Sequence, residues 1–379
     1  MKFLHLADLH LGKRIYERSL VDDQRFLLEQ ILTLAAERQA DAVLIAGDVY
    51  DRSVPPPEAV GLLDEFLTGL ERRGIPSLMI PGNHDSDARL AFGARLLGGA
   101  GVHLAPVFDG AAHTVTLTDA YGPVQFVLLP FLRPAQVRRF FPESPPGDYE
   151  AAVRAVLGAM ERPEGVRRVL LAHQFVTAAG QSPERCDSEF ASVGTLDHVD
   201  VSALDGFDYV ALGHIHGPQR VGRETVRYAG SPMKFSFSEA RHHKSAPLVA
   251  LGAKGDVQVE LLPLKPLHDL REIRGKLNDL LNPETWAGTE TGDYMHVTLT
   301  DEAVLDAMQK VRTVYPNTLR LDFDNALTAR ADAPVRAQEA ARRDPFELFA
   351  EFYEMRNGEP MEPEMEPVVR ELLEGGEAL

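Results

Sequence analysis

Ala42-Val43-Leu44-Ile45-Ala46-Gly47-Asp48-Val49-Tyr50-Asp51 is the stretch on which the fold turns. Five apolar residues in succession, with no polar alternation, mark a strand buried on both faces, as in sheets covered by helices. The run stops at a glycine followed by acids, so a tight turn delivers carboxylates just past the strand's end. Apolar runs of the same texture recur at 3–7, Ser77–Ile80, 125–129, 169–172 and 209–212. Helical patterns lie between the early ones. In 22–38, Leu27, Leu28, Ile31, Leu32 and Ala35 share one face. Residues 55–73 open on prolines, repeat Val60, Leu62, Leu63, Phe66, Leu67 and Leu70, and meet a helix stop at Gly74. This alternation predicts an α/β layered core.

Away from that core the texture changes. The chain has 379 residues, and at roughly 150 residues per domain that suggests two or three domains. Leu262-Pro263-Leu264-Lys265-Pro266 reads as a linker, which bounds a first domain at 1–265. Beyond it 267–281 is expected to be helical, Tyr294–Leu299 extended, 301–314 helical and Thr318–Phe323 extended, a small α+β module at 266–328. A charged hinge at 329–343 and two amphipathic pieces in 344–379 complete the third segment, 329–379. Phe346, Leu348, Phe349, Phe352 and Tyr353 load the first piece; Val368, Val369, Leu372 and Leu373 load the second.

Hydrophobic residues make up 44% of the chain and charged residues 25%, which excludes disorder as the main state. No apolar run approaches the ~18–20 residues a membrane span needs, so no membrane partner is expected. The N-terminal run places His5 and Asp8 where a signal peptide needs an unbroken apolar core. A single cysteine, Cys186, cannot form an internal disulfide, and a cytoplasmic location is expected. The net charge is −18, and residues 344–379, with 11 acids and 2 bases, carry half of it. The rest has no basic footprint either, so if the chain handles nucleic acid, a metal site or a partner must draw the substrate in.

The informative residues follow the strands. Residues 3–7 lead into Asp8-Leu9-His10, Ala42–Ala46 into Gly47-Asp48-Val49-Tyr50-Asp51, and Ser77–Ile80 into Pro81-Gly82-Asn83-His84-Asp85. Residues 169–172 end at His173, and 209–212 at Gly213-His214-Ile215-His216. Five strands thus deliver Asp, His and Asn to one edge of a layered sheet, where open α/β folds place ligands. Oxygen and imidazole donors without thiolates suit Mn, Fe or Zn better than Mg or Ca. There are too many donors for one ion; two cations roughly 3.5–4 Å apart could hold a phosphate ester, ionise a shared water and stabilise the leaving oxygen.

These five motifs resemble the signatures of the calcineurin-like metallophosphoesterases. Within that superfamily the chain is similar to the bacterial SbcD-type nucleases. The finer matches are His5-Leu6-Ala7-Asp8-Leu9-His10-Leu11-Gly12, Gly47-Asp48-Val49-Tyr50-Asp51, Tyr228-Ala229-Gly230-Ser231-Pro232 and Phe235-Ser236-Phe237-Ser238-Glu239. The resemblance implies a layered α/β/β/α metallophosphoesterase sandwich core, a small α+β capping domain and a C-terminal helical tail. It further implies two divalent ions, Mn2+ in first place, one held by Asp8, His10, Asp48 and His216, the other by Asp48, Asn83, His173 and His214. His84 would contact the phosphate and assist the departing 3′ oxygen, with Asp85 orienting its imidazole; Asp51 receives no role. The implied activity is 3′→5′ exonuclease on duplex DNA ends and endonuclease on single strands and hairpins, in repair and recombination. The implied partner is an SbcC-like coiled-coil ATPase, docked on the aromatic face at 346–353. A homodimer would form through 55–73 with Leu90, Phe92, Leu96 and Leu97.

Other readings compete. A phosphatase or cyclic-nucleotide phosphodiesterase would use the same ligands, though it needs no module after residue 265, and a catalytically dead adaptor would only anchor the ATPase. Arg241-His242-His243-Lys244 could meet phosphates or be a solvated loop, and the pairs Arg138-Arg139 and Arg167-Arg168 read as surface.

Overall fold

Strands buried on both faces need cover on both sides, and the chain supplies it with a second sheet on one face and helices on the other. The computed structural model describes residues 1–189 and 197–325, and in the C-terminal stretch 346, 349–350, 353–354, 361, 365–367 and 369–370. One six-stranded sheet runs in the order Val257–Pro263, Ser245–Leu251, Lys2–Leu6, Ala42–Ala46, Ser77–Ile80, Val102–Leu104. The last four strands are parallel to one another. The other six-stranded sheet runs Gln219–Val221, Arg223–Tyr228, Tyr209–Gly213, Arg167–His173, Gly122–Leu129, His113–Asp119. Its four central strands are parallel.

Three buried clusters account for the layers. Phe3, Leu44, Leu78 and Ile80 of the first sheet meet Phe126, Leu128, Val169, Leu171 and Tyr209 of the second. On the outer face of the first, Leu4, Leu6, Val43 and Ile45 pack under Leu27, Leu28 and Ile31 of helix Val21–Glu37 and Leu62, Phe66 and Leu70 of helix Pro57–Glu71. On the outer face of the second, Val127, Leu170 and Val210 pack under Val153, Val156 and Leu157 of helix Tyr149–Gly158. The expected α/β/β/α sandwich is the observed one.

Register then sets the site. Leu6 pairs with Ile45, Ala46 with Ile80, and His173 with Gly213, so the segments after these strands emerge at one end. The five strands do not share one sheet edge, as the sequence suggested: three belong to the first sheet and two to the second. Both faces of each run being apolar, the sequence alone does not say which of two sheets a strand joins.

Residues 270–323 form a three-stranded parallel sheet, Leu270–Gly275, Tyr294–Leu299 and Thr318–Phe323, around Leu280, Met295, Val297, Leu299, Val311 and Tyr315. The helix expected over 267–281 is mostly a strand; only Leu277–Leu280 is helical. Six residues of pairing with Tyr294–Leu299 satisfy the backbone there, and Gly275 weakens a helix interior. Over 301–314 the helix is confined to Ala307–Val311. Asp23 of the first helix anchors this module, its carboxylate oxygens lying 2.8 Å from His268 Nδ1 and 2.8 Å from Tyr294 Oη. The hinge expected over 329–343 lies outside the described residues, as do Leu348, Phe352, Val368, Leu372 and Leu373. Phe346, Phe349 and Tyr353 are described and helical. No described helix is long and apolar enough to cross a membrane.

Candidate metal centre

The turns that carry the site are strained. Asp8, His10, Asp48 and His214 all have positive φ, at 53°, 43°, 46° and 103°. Such backbone costs of order 1–3 kcal/mol per residue and persists where the surroundings over-determine it. Here they do. Asp8 N donates to the Gly47 carbonyl at 3.1 Å and His10 N to the Asp48 carbonyl at 2.9 Å. His214 N donates to both carboxylate oxygens of Asp8, at 3.0 and 3.2 Å, which ties the second sheet to the first. Gly82 passes so close that a Cβ would sit 2.2 Å from Asp48 Oδ1, so only glycine fits between the Asn-His-Asp loop and this carboxylate.

Hydrogen bonds fix which ring nitrogens carry protons. His173 Nδ1 lies 2.8 Å from the Ala46 carbonyl and must donate to it. That turns Nε2 toward Asp48 Oδ2 at 3.3 Å and Asn83 Oδ1 at 3.1 Å. Asn83 Oδ1 also lies 3.0 Å from His214 Nδ1. Ser188 Oγ donates to Glu239 Oε1 at 2.6 Å, so at 2.8 Å it accepts from His216 Nδ1. His216 Nε2 is thereby turned inward, 3.1 Å from His10 Nε2. His10 Nδ1 is buried without a hydrogen-bond partner, 3.7 Å from Asp51 Oδ1.

The charge states agree. Burial pushes the Asp8 carboxyl up to about 7 against the opposing charges of His173 and His216. Burial would raise Asp48 too, yet the charge and hydrogen bond of His173, with His10 and His84, hold it well below the usual carboxylate range. Burial pulls His173 down, but Asp48 and Asp8 carry it to about 9, a proton shared in the carboxylate's grip. Burial keeps His10 well below its ordinary value and His214 at about 3. Buried acids beside bare imidazoles form a cavity that asks for cations. Asp8–His10–His216 and Asp8–Asp48–His173 each bring three ligand atoms within 4.8 Å of one another, and these oxygen and imidazole donors fit divalent metal ions.

All nine residues singled out in the sequence converge here. Asp48 sits between the two groups, with Oδ2 3.7 Å from His10 Nε2 and 3.3 Å from His173 Nε2. His84 N donates to Asp48 Oδ1 at 2.9 Å, and His84 is the half-buried imidazole at the mouth. The role expected for Asp85 is not what the structure has. Its carboxylate accepts from Gly82 N, Val49 N and Tyr50 N at 2.9–3.0 Å, locking two loops together. The His84 ring is instead aimed by the Asp51 carbonyl, 3.0 Å from Nδ1. An acid with three backbone donors nearby satisfies those first; adjacency in sequence did not reveal it. Sequence reasoning also missed Ser188 and Glu189, which bind His216 through Nδ1 and through its backbone N at 2.7 Å. No periodicity or motif marks that stretch. Glu239 was signalled only as the end of the Phe235–Glu239 match.

Residues 1–218 match the calcineurin-like phosphoesterase family, and residues 266–357 match the type 5 capsule protein repressor C-terminal domain. The SbcD component of the nuclease SbcCD from Staphylococcus epidermidis is 32% identical over 332 residues, 86% of this chain and 87% of that one. The chain belongs to the SbcD-type calcineurin-like phosphoesterases. A crystal structure of a dimetal phosphatase from Danio rerio is similar to 70% of this phosphoesterase and 98% of its own chain, with TM-score 0.39 and 14% identity. In this SbcD-type chain the family match of 1–218 spans all five motif segments, and the second match begins at Pro266, the last residue of the proline-rich linker.

Proposed function

We propose that this SbcD-type phosphoesterase is a two-metal DNA nuclease, a 3′→5′ exonuclease on duplex ends and an endonuclease on single strands and hairpins. Asp8, His10, Asp48 and His216 would hold one ion, and Asp48, Asn83, His173 and His214 the other, with Mn2+ the expected metal. When bound, the pair supplies Lewis acidity to the phosphate and an ionised water as nucleophile. The chain's own residues do the rest. Asp48 fixes the His84 backbone through Oδ1, and the Asp51 carbonyl holds Nδ1–H, so Nε2 is the atom that hands a proton to the departing 3′ oxygen. The Ala46 carbonyl and Ser188 hold Nδ1 of His173 and His216, so that Nε2 of each ring faces the site and is the atom that would bind a metal once deprotonated. Asp85 keeps the two loops in register rather than touching the substrate.

The observation that carries this reading is the meeting of His10 Nε2 and His216 Nε2 at 3.1 Å, the latter ring turned inward by its Nδ1 bond to Ser188. The partner supported by the family is an SbcC-like ATPase, which would supply the DNA affinity that a net charge of −18 denies this chain. It would dock on the face of Phe346, Phe349 and Tyr353. A homodimer is supported by Phe92 and Leu96, 85% and 86% exposed, whereas Leu62, Leu63, Phe66 and Leu70 of the neighbouring helix belong to the subunit's own core. The expected compartment is the cytoplasm.

The test is hydrolysis of linear duplex DNA by the purified chain with Mn2+, with and without the ATPase. Cleavage that chelator abolishes is the expected result. Hydrolysis of bis-p-nitrophenyl phosphate with no cleavage of duplex, even with the ATPase present, would instead mark a small-substrate phosphodiesterase.

A further inference from the structure

A second cavity, of about 530 Å³, opens where the sandwich meets the module that starts at residue 266. In a chain with 57 acids and 39 bases, its wall reverses the balance. Lys234, Arg241, Lys244 and Lys265 line it with His242 and His243, against Asp269 alone among the acids. Two of these cations are committed. Lys234 Nζ is held by the Ala240 carbonyl at 2.7 Å and Asp269 at 2.9 Å, and Lys244 Nζ by Glu239, Ser231 Oγ and the His216 carbonyl. The exposed Arg241 and Lys265 have no side-chain partner among the described residues. His242 Nδ1 is buried without a hydrogen-bond partner, the nearest acid being Glu239 Oε2 at 4.0 Å.

Two uncommitted cations at the rim of a cavity, Arg241 and Lys265, favour an anion with hydrogen-bonding oxygens. The rest of the wall is apolar, from Pro232, Met233, Leu264 and Pro266. A bare phosphate would leave that surface and most of the volume unused, whereas a ligand pairing a phosphate with a flat ring would cover both. Lys244 links this wall to the metal centre, its Nζ lying 2.8 Å from the carbonyl of His216.

We propose that this junction cavity is a nucleotide-binding site, taking a phosphate on Arg241 and Lys265 and a base against the Pro232–Met233 and Leu264–Pro266 wall. The choice of a nucleotide rests on the nuclease reading; the recognition of a phosphate does not. The nucleotide has two possible sources, a free monophosphate released by hydrolysis or one unit of a DNA strand.

The test is calorimetric titration of the full-length chain with dAMP, in chelator so that the metal centre is silent, with circular dichroism confirming the fold. One-to-one binding is expected, weakened at least tenfold by Arg241→Glu combined with Lys265→Glu and at least tenfold weaker for inorganic phosphate. Both residues are exposed, so the variant should fold as the parent does. No binding, binding that survives the double substitution, or phosphate held as tightly as dAMP overturns the proposal. Displacement of dAMP by a short oligothymidylate assigns the site to a strand, and failure to displace assigns it to the free nucleotide; both support it. Duplex hydrolysis is scored separately with Mn2+. Cleavage without dAMP binding defeats the pocket alone, and dAMP binding without cleavage defeats the nuclease reading alone.

Discussion

His216 donates its Nδ1 proton to Ser188 across 2.8 Å, and Ser188 passes its own to Glu239 at 2.6 Å. The chain ends on a carboxylate that Lys244 neutralises, so the tautomer of His216 is set by three residues behind it. Supporting partners of this kind are worth about 10–100-fold in metal affinity. Ser188→Ala is therefore expected to weaken Mn2+ binding by about that factor, read by calorimetry, with Ser188→Thr restoring most of it. Unchanged affinity in the alanine variant would refute the relay.

His84 should be separable from metal binding. His84→Gln keeps the backbone N–H to Asp48 and a side chain of similar reach, but cannot deliver a proton. Turnover should fall about 10²–10⁴-fold, the usual worth of a general acid, while calorimetry still counts the parental number of Mn2+ ions. Loss of an ion would make His84 a ligand, a role its grouping with His10 and Asp48 makes worth checking.

Gly82 leaves no room for even a methyl group, because the added carbon would meet Asp48 Oδ1 at 2.2 Å and Asp48 N at 2.4 Å. Gly82→Ala must displace the Asp48 turn or the Asn83–Asp85 loop. A destabilisation of roughly 2–4 kcal/mol by denaturant unfolding is expected from strain of this kind, with activity lost. A stable, active alanine variant would mean that the two loops are not packed as described.

Much of this site was legible in the chain. Ala42–Ala46 coincides with a strand, and Asp48 follows it at the sheet's end, because an unbroken apolar run and a glycine leave a chain few alternatives. What failed was long-range. Leu270–Gly275 became a strand through pairing with Tyr294–Leu299, a partner no local window reveals. Asp85 turned to three backbone donors rather than to His84 because Val49 and Tyr50, over thirty residues earlier, lie beside it. Ser188 reaches His216 from a turn outside every described strand and helix.

Far from the metal centre, Asp119 clamps the chain's start, accepting from the Met1 amino group at 2.5 Å and pairing with Arg167. The Arg167 hydrogen bond, opposed by partial burial and aided by the Met1 amino group, holds its carboxyl below the usual range. A depressed folded-state value means that the stabilisation is present above the unfolded pKa, ~3.9, and is lost as pH falls through the lower folded value. Asp119→Asn should thus cost about 1–3 kcal/mol at neutral pH, a gap to the parent that closes as both are unfolded at progressively lower pH below 4. A gap independent of pH would show that packing, not charge, is what the substitution removes.

The account depends above all on Asp48 lying between two cations. Anomalous scattering from crystals of the Mn2+-loaded chain tests this directly. Two peaks are predicted on either side of the Asp48 carboxylate, one among Asp8, His10 and His216, the other among Asn83, His173 and His214. A single peak, or none within bonding distance of Asp48, would contradict it.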